Sequence, residues 1–541
     1  YNKMLQVTNV IQPDGTSVRT EYYQHGLLKK TWGSRNYPVE YTYDHAGRLK
    51  TMKTWKQFDQ TTGRGISGAA ITTWNYDPYR GWLAQKRYAD NTGPTYTYTA
   101  AGRLASRTWA RTIGGAPLVT TYTYNDAGEL QSVDYSDSTP DVTYAYDRRG
   151  RQSQISSSGS QITYTYNNAN QLLTESYTGG PLHGIVVSNL YDHLLRRTNL
   201  VVRYGTTNLL SVAYGYDAAS RLQSVLEGTN LARYTYVANS PLVGQIAFSN
   251  RVSSQWHLRM STVKQYDYLN RLTFVGSTPA SGVGSDAPPL PSFTYTYNNA
   301  NQRVRVNLAD GSYWLYEYDA LGQVISGRRY WPDGTPVAGQ QFEYGFDHIG
   351  NRTQTKAGGD ENGWNLRTAT YTANLLNQYT SRTVPGYVDI LGVALATKTV
   401  TVNGQAAYRK VEYFRRELSV NNASAPAWEG VTVSATCEPS VTGRVFVPRT
   451  PEQFSYDLDG NLTVDGRWNY TWDAENWLVM AESFPSEFNA CRRGIVRTYD
   501  GERERILWVL RRQGHNWVSR KRREFRSGIV GSVKAGWSTS T

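Results

Sequence analysis

Along most of the chain, aromatic and aliphatic residues alternate with Thr, Ser, Gln and charged residues in short runs, which end in Asp or Asn followed by Gly, Asn or Ser. Side chains on a strand point to opposite faces in turn, so such runs put one set on each face. Runs bounded by turn-forming residues read as β-hairpins. The abundance of Tyr (42) and Gly (48) fits this reading, because Thr and Tyr suit a pleated, half-buried surface while helices favour Ala, Leu, Glu and Lys. The pattern predicts an all-β protein.

The runs are copies of one another. Tyr41-Thr-Tyr-Asp-His-Ala-Gly-Arg-Leu49 is echoed by Tyr144-Ala-Tyr-Asp-Arg-Arg-Gly-Arg-Gln152, Tyr316-Glu-Tyr-Asp-Ala-Leu-Gly-Gln-Val324 and Phe454-Ser-Tyr-Asp-Leu-Asp-Gly-Asn-Leu462, with further copies between. The turn glycines Gly26 and Gly47 are 21 residues apart, and Gly128 and Gly150 are 22 apart. The expected repeat-defining residues are therefore Tyr41, Tyr43, Asp44 and Gly47; Tyr144, Tyr146, Asp147 and Gly150; Tyr316, Tyr318, Asp319 and Gly322; and Tyr456, Asp457 and Gly460. Tyr-x-Tyr sets two rings on one face. The Asp or Asn oxygen turns back onto the backbone N–H two residues on. The Gly or Asn that follows (Gly47, Gly102, Asn170, Asn301) marks where a positive φ is cheapest. The next two residues start a returning strand, expected to bury the Leu and leave the Arg in water. A lone hairpin is marginal, so neighbours must stack.

This motif resembles the YD repeat of bacterial Rhs and wall-associated proteins, related to the teneurin shell, over roughly residues 10–380 and 450–505. The resemblance implies tandem hairpins wound as a spiral sheet into a hollow, cocoon-like shell. It implies an encapsulated polypeptide or a surface glycan as partner, in a secreted or cell-surface protein. An apolar content of 39 % fits a sheet with two wetted faces. Relatives that carry toxins end their core in an Asp-Pro-containing self-cleavage motif. The only Asp-Pro here is Asp77-Pro78, early in the array, so neither self-cleavage nor a toxin is carried over.

Four segments are expected: a repeat array over 1–379, an inserted β-rich domain over 380–452, returning core-like repeats over 453–505 and a divergent basic tail over 506–541. In the insertion, Ala396–Val402 and Val431–Ala435 alternate like strands. Residues 279–292 read as a Pro/Gly/Ser loop. Residues 491–541 hold 13 Lys/Arg against 4 Asp/Glu, which is +9 of the net +13, so the basic character belongs to the tail and a specific nucleic-acid partner is not expected.

No apolar run reaches the roughly 18 residues of a membrane span. The chain opens at Tyr1 without an initiator Met or a signal-peptide pattern, which predicts a piece of a longer protein. Cys437 and Cys491 could pair but make no disulfide framework, and the reading favoured is two unpaired thiols. The seven His residues lack zinc-ligand spacing, and no nucleophile elbow or P-loop occurs, so no catalytic residue, metal or cofactor is expected. The recurring carboxylates read as turn-formers; a carboxylate-based carbohydrate-active enzyme is the alternative. Trp468, Trp472 and Trp477 are candidates for stacking on sugar rings.

Overall fold

A computed structural model describes residues 1–280 and 290–483, and after them the backbone of the strands 493–499, 505–512, 522–526 and 532–536. The middle of the Pro/Gly/Ser segment, Cys491 and most of the basic tail lie outside the described residues. Among the described residues there is no helix, and consecutive strands pair antiparallel as hairpins. By compactness the chain forms two units, residues 1–95 with 294–468 and residues 96–293 with 469–541.

Every well-formed repeat shares one irregularity. In the pairing of Asn36–Tyr43 with Leu49–Asp59, Thr42 faces Thr51 but Tyr43 faces Leu49, so the returning strand holds an extra residue. The same bulge falls just before Tyr146, Tyr166, Tyr216, Tyr236 and Tyr318. A bulge leaves one residue out of the ladder and sharpens the local twist. Inward tyrosines alternate with outward small residues, as in Val142–Tyr146, where Thr143 and Ala145 are exposed and both tyrosines half-buried.

In the first unit, turns late in the chain lie against strands from its start. The Arg35 N–H donates to the Ala320 carbonyl at 2.8 Å, and the His348 N–H to the Lys56 carbonyl at 3.0 Å. The Thr92 hydroxyl donates to the Leu458 carbonyl at 3.4 Å. The second unit repeats the device. Trp109 Nε1 donates to the Ala474 carbonyl at 2.7 Å, and the Ala474 N–H donates to Thr139 Oγ1 at 2.8 Å. Ala320, His348, Leu458 and Ala474 each directly follow a turn-opening Asp. The turn uses up the neighbouring polar groups and leaves that residue's peptide free to bond outward.

Apolar packing is uneven. The second unit holds a continuous core that includes Ile155, Ile162, Ile185, Leu200 and Val202. In the first unit Trp32, Trp55 and Phe58 cluster under a long hairpin. Within residues 380–452, Tyr387–Val393 and Tyr408–Lys410 flank Tyr413–Ser419 in one small sheet, while Val400–Val402 pairs with Ala427–Ala435 in another. The strand expected over 396–402 forms only at its end. Lys398 N–H bonds back to the Leu395 carbonyl at 2.9 Å, closing a turn first. Val400, Val402 and Phe414 form the core of this segment. Cys437 is exposed and unpaired.

Candidate functional site

The repeat turns are where charge, aromatic rings and strained backbone meet. At Asp44, one carboxylate oxygen accepts from the backbone N–H groups of Ala46 and Arg48, both at 2.9 Å. The other accepts from Arg48 Nε at 2.7 Å. The Gly47 N–H closes onto the Asp44 carbonyl at 3.0 Å, with Gly47 at φ +77°. Asp147 with Arg151 repeats this lock, its turn closed by Gly150 at φ +74°. Asp192 with Arg196, Asp217 with Arg221 and Asp267 with Arg271 do likewise. The left-handed residue is Leu195 or Ser220 in two of these turns. The lock therefore holds a non-glycine residue where only Gly or Asn would go cheaply.

Where the fourth residue on is not Arg, the partner changes with the opener. Asp319 accepts from Gln323 Nε2 at 2.8 Å, and Asp457 accepts from Asn461 Nδ2 at 2.9 Å, with Gly322 and Gly460 completing the turns. When Asn opens the turn the direction reverses. Asn167 Nδ2 donates to Gln171 Oε1 at 2.8 Å, Asn298 Nδ2 to Gln302 Oε1 at 2.8 Å, and Asn125 Nδ2 to Glu129 Oε2 at 2.8 Å. An acceptor opener goes with a donor and a donor opener with an acceptor. Sequence inspection missed this rule, although the pairs can be read at a spacing of four.

Four of these five arginines are only partly in water. Each spans from its own Asp to a ring of the next repeat: Arg48 over Tyr76, Arg151 over Tyr166, Arg196 over Tyr216 and Arg221 over Tyr236, at 4.2–4.7 Å. A flat guanidinium satisfies a carboxylate with its edge while its face covers a ring. Those same tyrosines donate backward, Tyr216 to the Arg197 carbonyl at 2.7 Å and Tyr236 to the Leu222 carbonyl at 2.6 Å. Tyr146 and Tyr318 do the same to Leu130 and Arg303. The acceptors Arg197, Leu222 and Leu130 are each the residue paired at the preceding bulge.

The electrostatics follow. The guanidinium bonded to it holds each of Asp147 and Asp192 below the usual carboxylate value, and the Arg221 backbone N–H leads the same effect at Asp217. Burial pushes the phenols of Tyr43, Tyr146, Tyr216, Tyr236 and Tyr318 above theirs.

Among the other predicted residues, the Tyr41 carbonyl accepts from the Tyr23 hydroxyl at 2.9 Å, and Tyr144 packs against the second unit's core. Tyr316 stacks on Trp314, and burial raises the Tyr456 phenol. Trp468 and Trp472 are half-buried in one strand, and Trp477 is exposed at the end of the turn opened by Asp473. His348 is not a free turn residue: its Nδ1 accepts the Phe58 N–H at 3.3 Å.

No protein-family profile matches the chain. A curated relative does: over 249 residues the chain is 27 % identical to the probable deoxyribonuclease RhsA of Dickeya dadantii (strain 3937). The likeness is to an Rhs protein. It takes in 41 % of this chain and 16 % of that relative, so the chain spans well under a fifth of the relative's length. Among solved structures, the TcdB2-TccC3 crystal structure is similar over 94 % of this chain and 29 % of its own, at 13 % identity and a TM-score of 0.47. A Photorhabdus luminescens Tc holotoxin pore structure is similar over 96 % of this chain and 31 % of its own, at 12 % identity and a TM-score of 0.37.

Proposed function

We propose that the chain is a structural, non-enzymatic wall segment of an Rhs-type YD-repeat protein, secreted or cell-surface, whose wound sheet encloses a polypeptide cargo. The observation that carries this is the turn ladder. Its charged and aromatic groups are spent on one another, repeat to repeat, rather than gathered around a reacting centre. The similarity to an Rhs protein supports the same reading. The deoxyribonuclease activity in that relative's name belongs to the relative; in our reading this chain supplies wall and no nuclease. Small-angle scattering of the purified chain should give a pair-distance distribution weighted to long distances, as a hollow body does. A curve fitted by a solid globule would overturn enclosure, and plasmid cleavage by the chain alone would overturn the non-enzymatic part. Adhesion without enclosure would instead give the solid-body curve together with binding to intact cells.

A further inference from the structure

A cavity of about 410 Å³ opens in the first unit where the array passes into residues 380–452, within the size range of small-molecule sites. One wall is apolar, made by Val384, Pro385, Phe446 and Pro448. The facing wall carries Arg367, Asp389 and Glu417 beside Tyr387.

The polar wall is held rigidly but is not fully used. Glu417 accepts from Arg367 through Nε at 3.1 Å and Nη2 at 2.5 Å, and from Arg415 Nη2 at 3.0 Å. Arg415 Nε also donates to Asp389 Oδ1 at 2.6 Å. Among the described residues, Asp389 Oδ2 accepts no hydrogen bond. It lies against Gly358, where an added Cβ would come within 2.7 Å of it. Burial raises the carboxyl's pKa despite Arg415. With its side chain 20 % exposed, this oxygen is open to a donor entering from the cavity. The Arg367 guanidinium lies 3.6 Å over the ring of Tyr387, a residue that is 41 % exposed.

The wanted ligand must offer a donor to Asp389 Oδ2 and an apolar face to the Pro385 and Pro448 wall. A cation would supply the donor, but Arg367 and Arg382 line the same cavity and balance Asp389 and Glu417. An anion would face the unpaired carboxylate oxygen. A neutral polyhydroxyl ring meets every requirement, with C–H faces for the apolar wall and hydroxyls for the edges. We propose that this cavity binds one or two rings of a neutral saccharide, with Asp389 Oδ2 accepting from a ring hydroxyl and Tyr387 bounding the ring.

Calorimetric titration of the full chain with cellobiose, maltose and N,N′-diacetylchitobiose tests this. At least one should bind. Asp389→Asn, which sets an N–H where the acceptor stood, should weaken it by about tenfold or more. Tyr387→Ala, at an exposed ring, should weaken the same sugar while leaving the thermal midpoint in place, so that misfolding of the first variant does not decide the matter. No binding by any of the three sugars would overturn the proposal. So would wild-type affinity in both variants, or titration by spermidine in place of the sugars.

Discussion

At the scale of single residues, the turns obey a donor–acceptor rule that can be tested by exchange. Asp217 accepts from both the backbone and side chain of Arg221. Asp217→Asn can turn its amide to face Arg221 Nε donor to donor, or keep its oxygen there and lose the charge. Either way the turn should loosen. The double change Asp217→Asn with Arg221→Gln installs the pair that Asn167 and Gln171 already use. We expect the double variant to unfold at a higher temperature than the Asp217→Asn single variant, a non-additivity that a double-mutant cycle measures. Simple addition of the two losses would show that the pair acts as isolated surface charges. The turn itself was legible in the sequence, since Asp, Gly and their spacing carry its geometry. The fate of the arginine was not. A charge beside a turn reads as solvated until the next repeat's ring is in place above it, and that ring arrives about twenty residues later.

At the scale of the hairpin, the bulge explains why the second aromatic is Tyr and not Phe. The carbonyl that accepts is that of Leu222, the residue paired with Tyr216 at the bulge, and the next repeat's hydroxyl supplies the donor. Tyr236→Phe keeps the ring and the Arg221 stack but orphans the Leu222 carbonyl. Its cost should be about 1 kcal/mol in chemical denaturation, the net worth of a partly screened hydrogen bond. A Phe stands at the equivalent position 346, paired with Arg352 at its bulge, so the sheet tolerates a ring without the hydroxyl there. A loss near zero for Tyr236→Phe would mean that water serves the carbonyl equally well. The locks also set an acid limit. Asp147, Asp192 and Asp217 have folded values below the usual 3.8, so their stabilisation is present above that value and is lost as pH falls through the folded values. The thermal midpoint should hold level down to about pH 5 and drop below about pH 4. Asp389 runs the other way, because its raised value relieves a burial cost on acidification. A midpoint that falls steadily from neutrality would show that these locks do not set the acid limit.

At the scale of the molecule, stability depends on contacts that no local pattern announces. Period and propensity predict hairpins, but neither announces the pairing of Trp109 with Ala474, 365 residues apart. Part of the expected sugar-stacking row, Trp468 and Trp472, is half-buried in its strand. The device is open to test within the second unit. Ala474 is 0 % exposed, with its carbonyl on Trp109 and its N–H on Thr139. Ala474→Leu adds volume where none is free, which should cost about 1–3 kcal/mol. The decisive readout is hydrogen exchange. If the turn at 473–477 docks as one piece with the strand Leu104–Ile113, protection should fall in both segments together, although the substitution touches only one of them in sequence. A fall confined to 473–477 would mean that the contact decorates two independently stable hairpins. In that case the sheet would owe its stability to neighbouring repeats alone, as a one-dimensional array does.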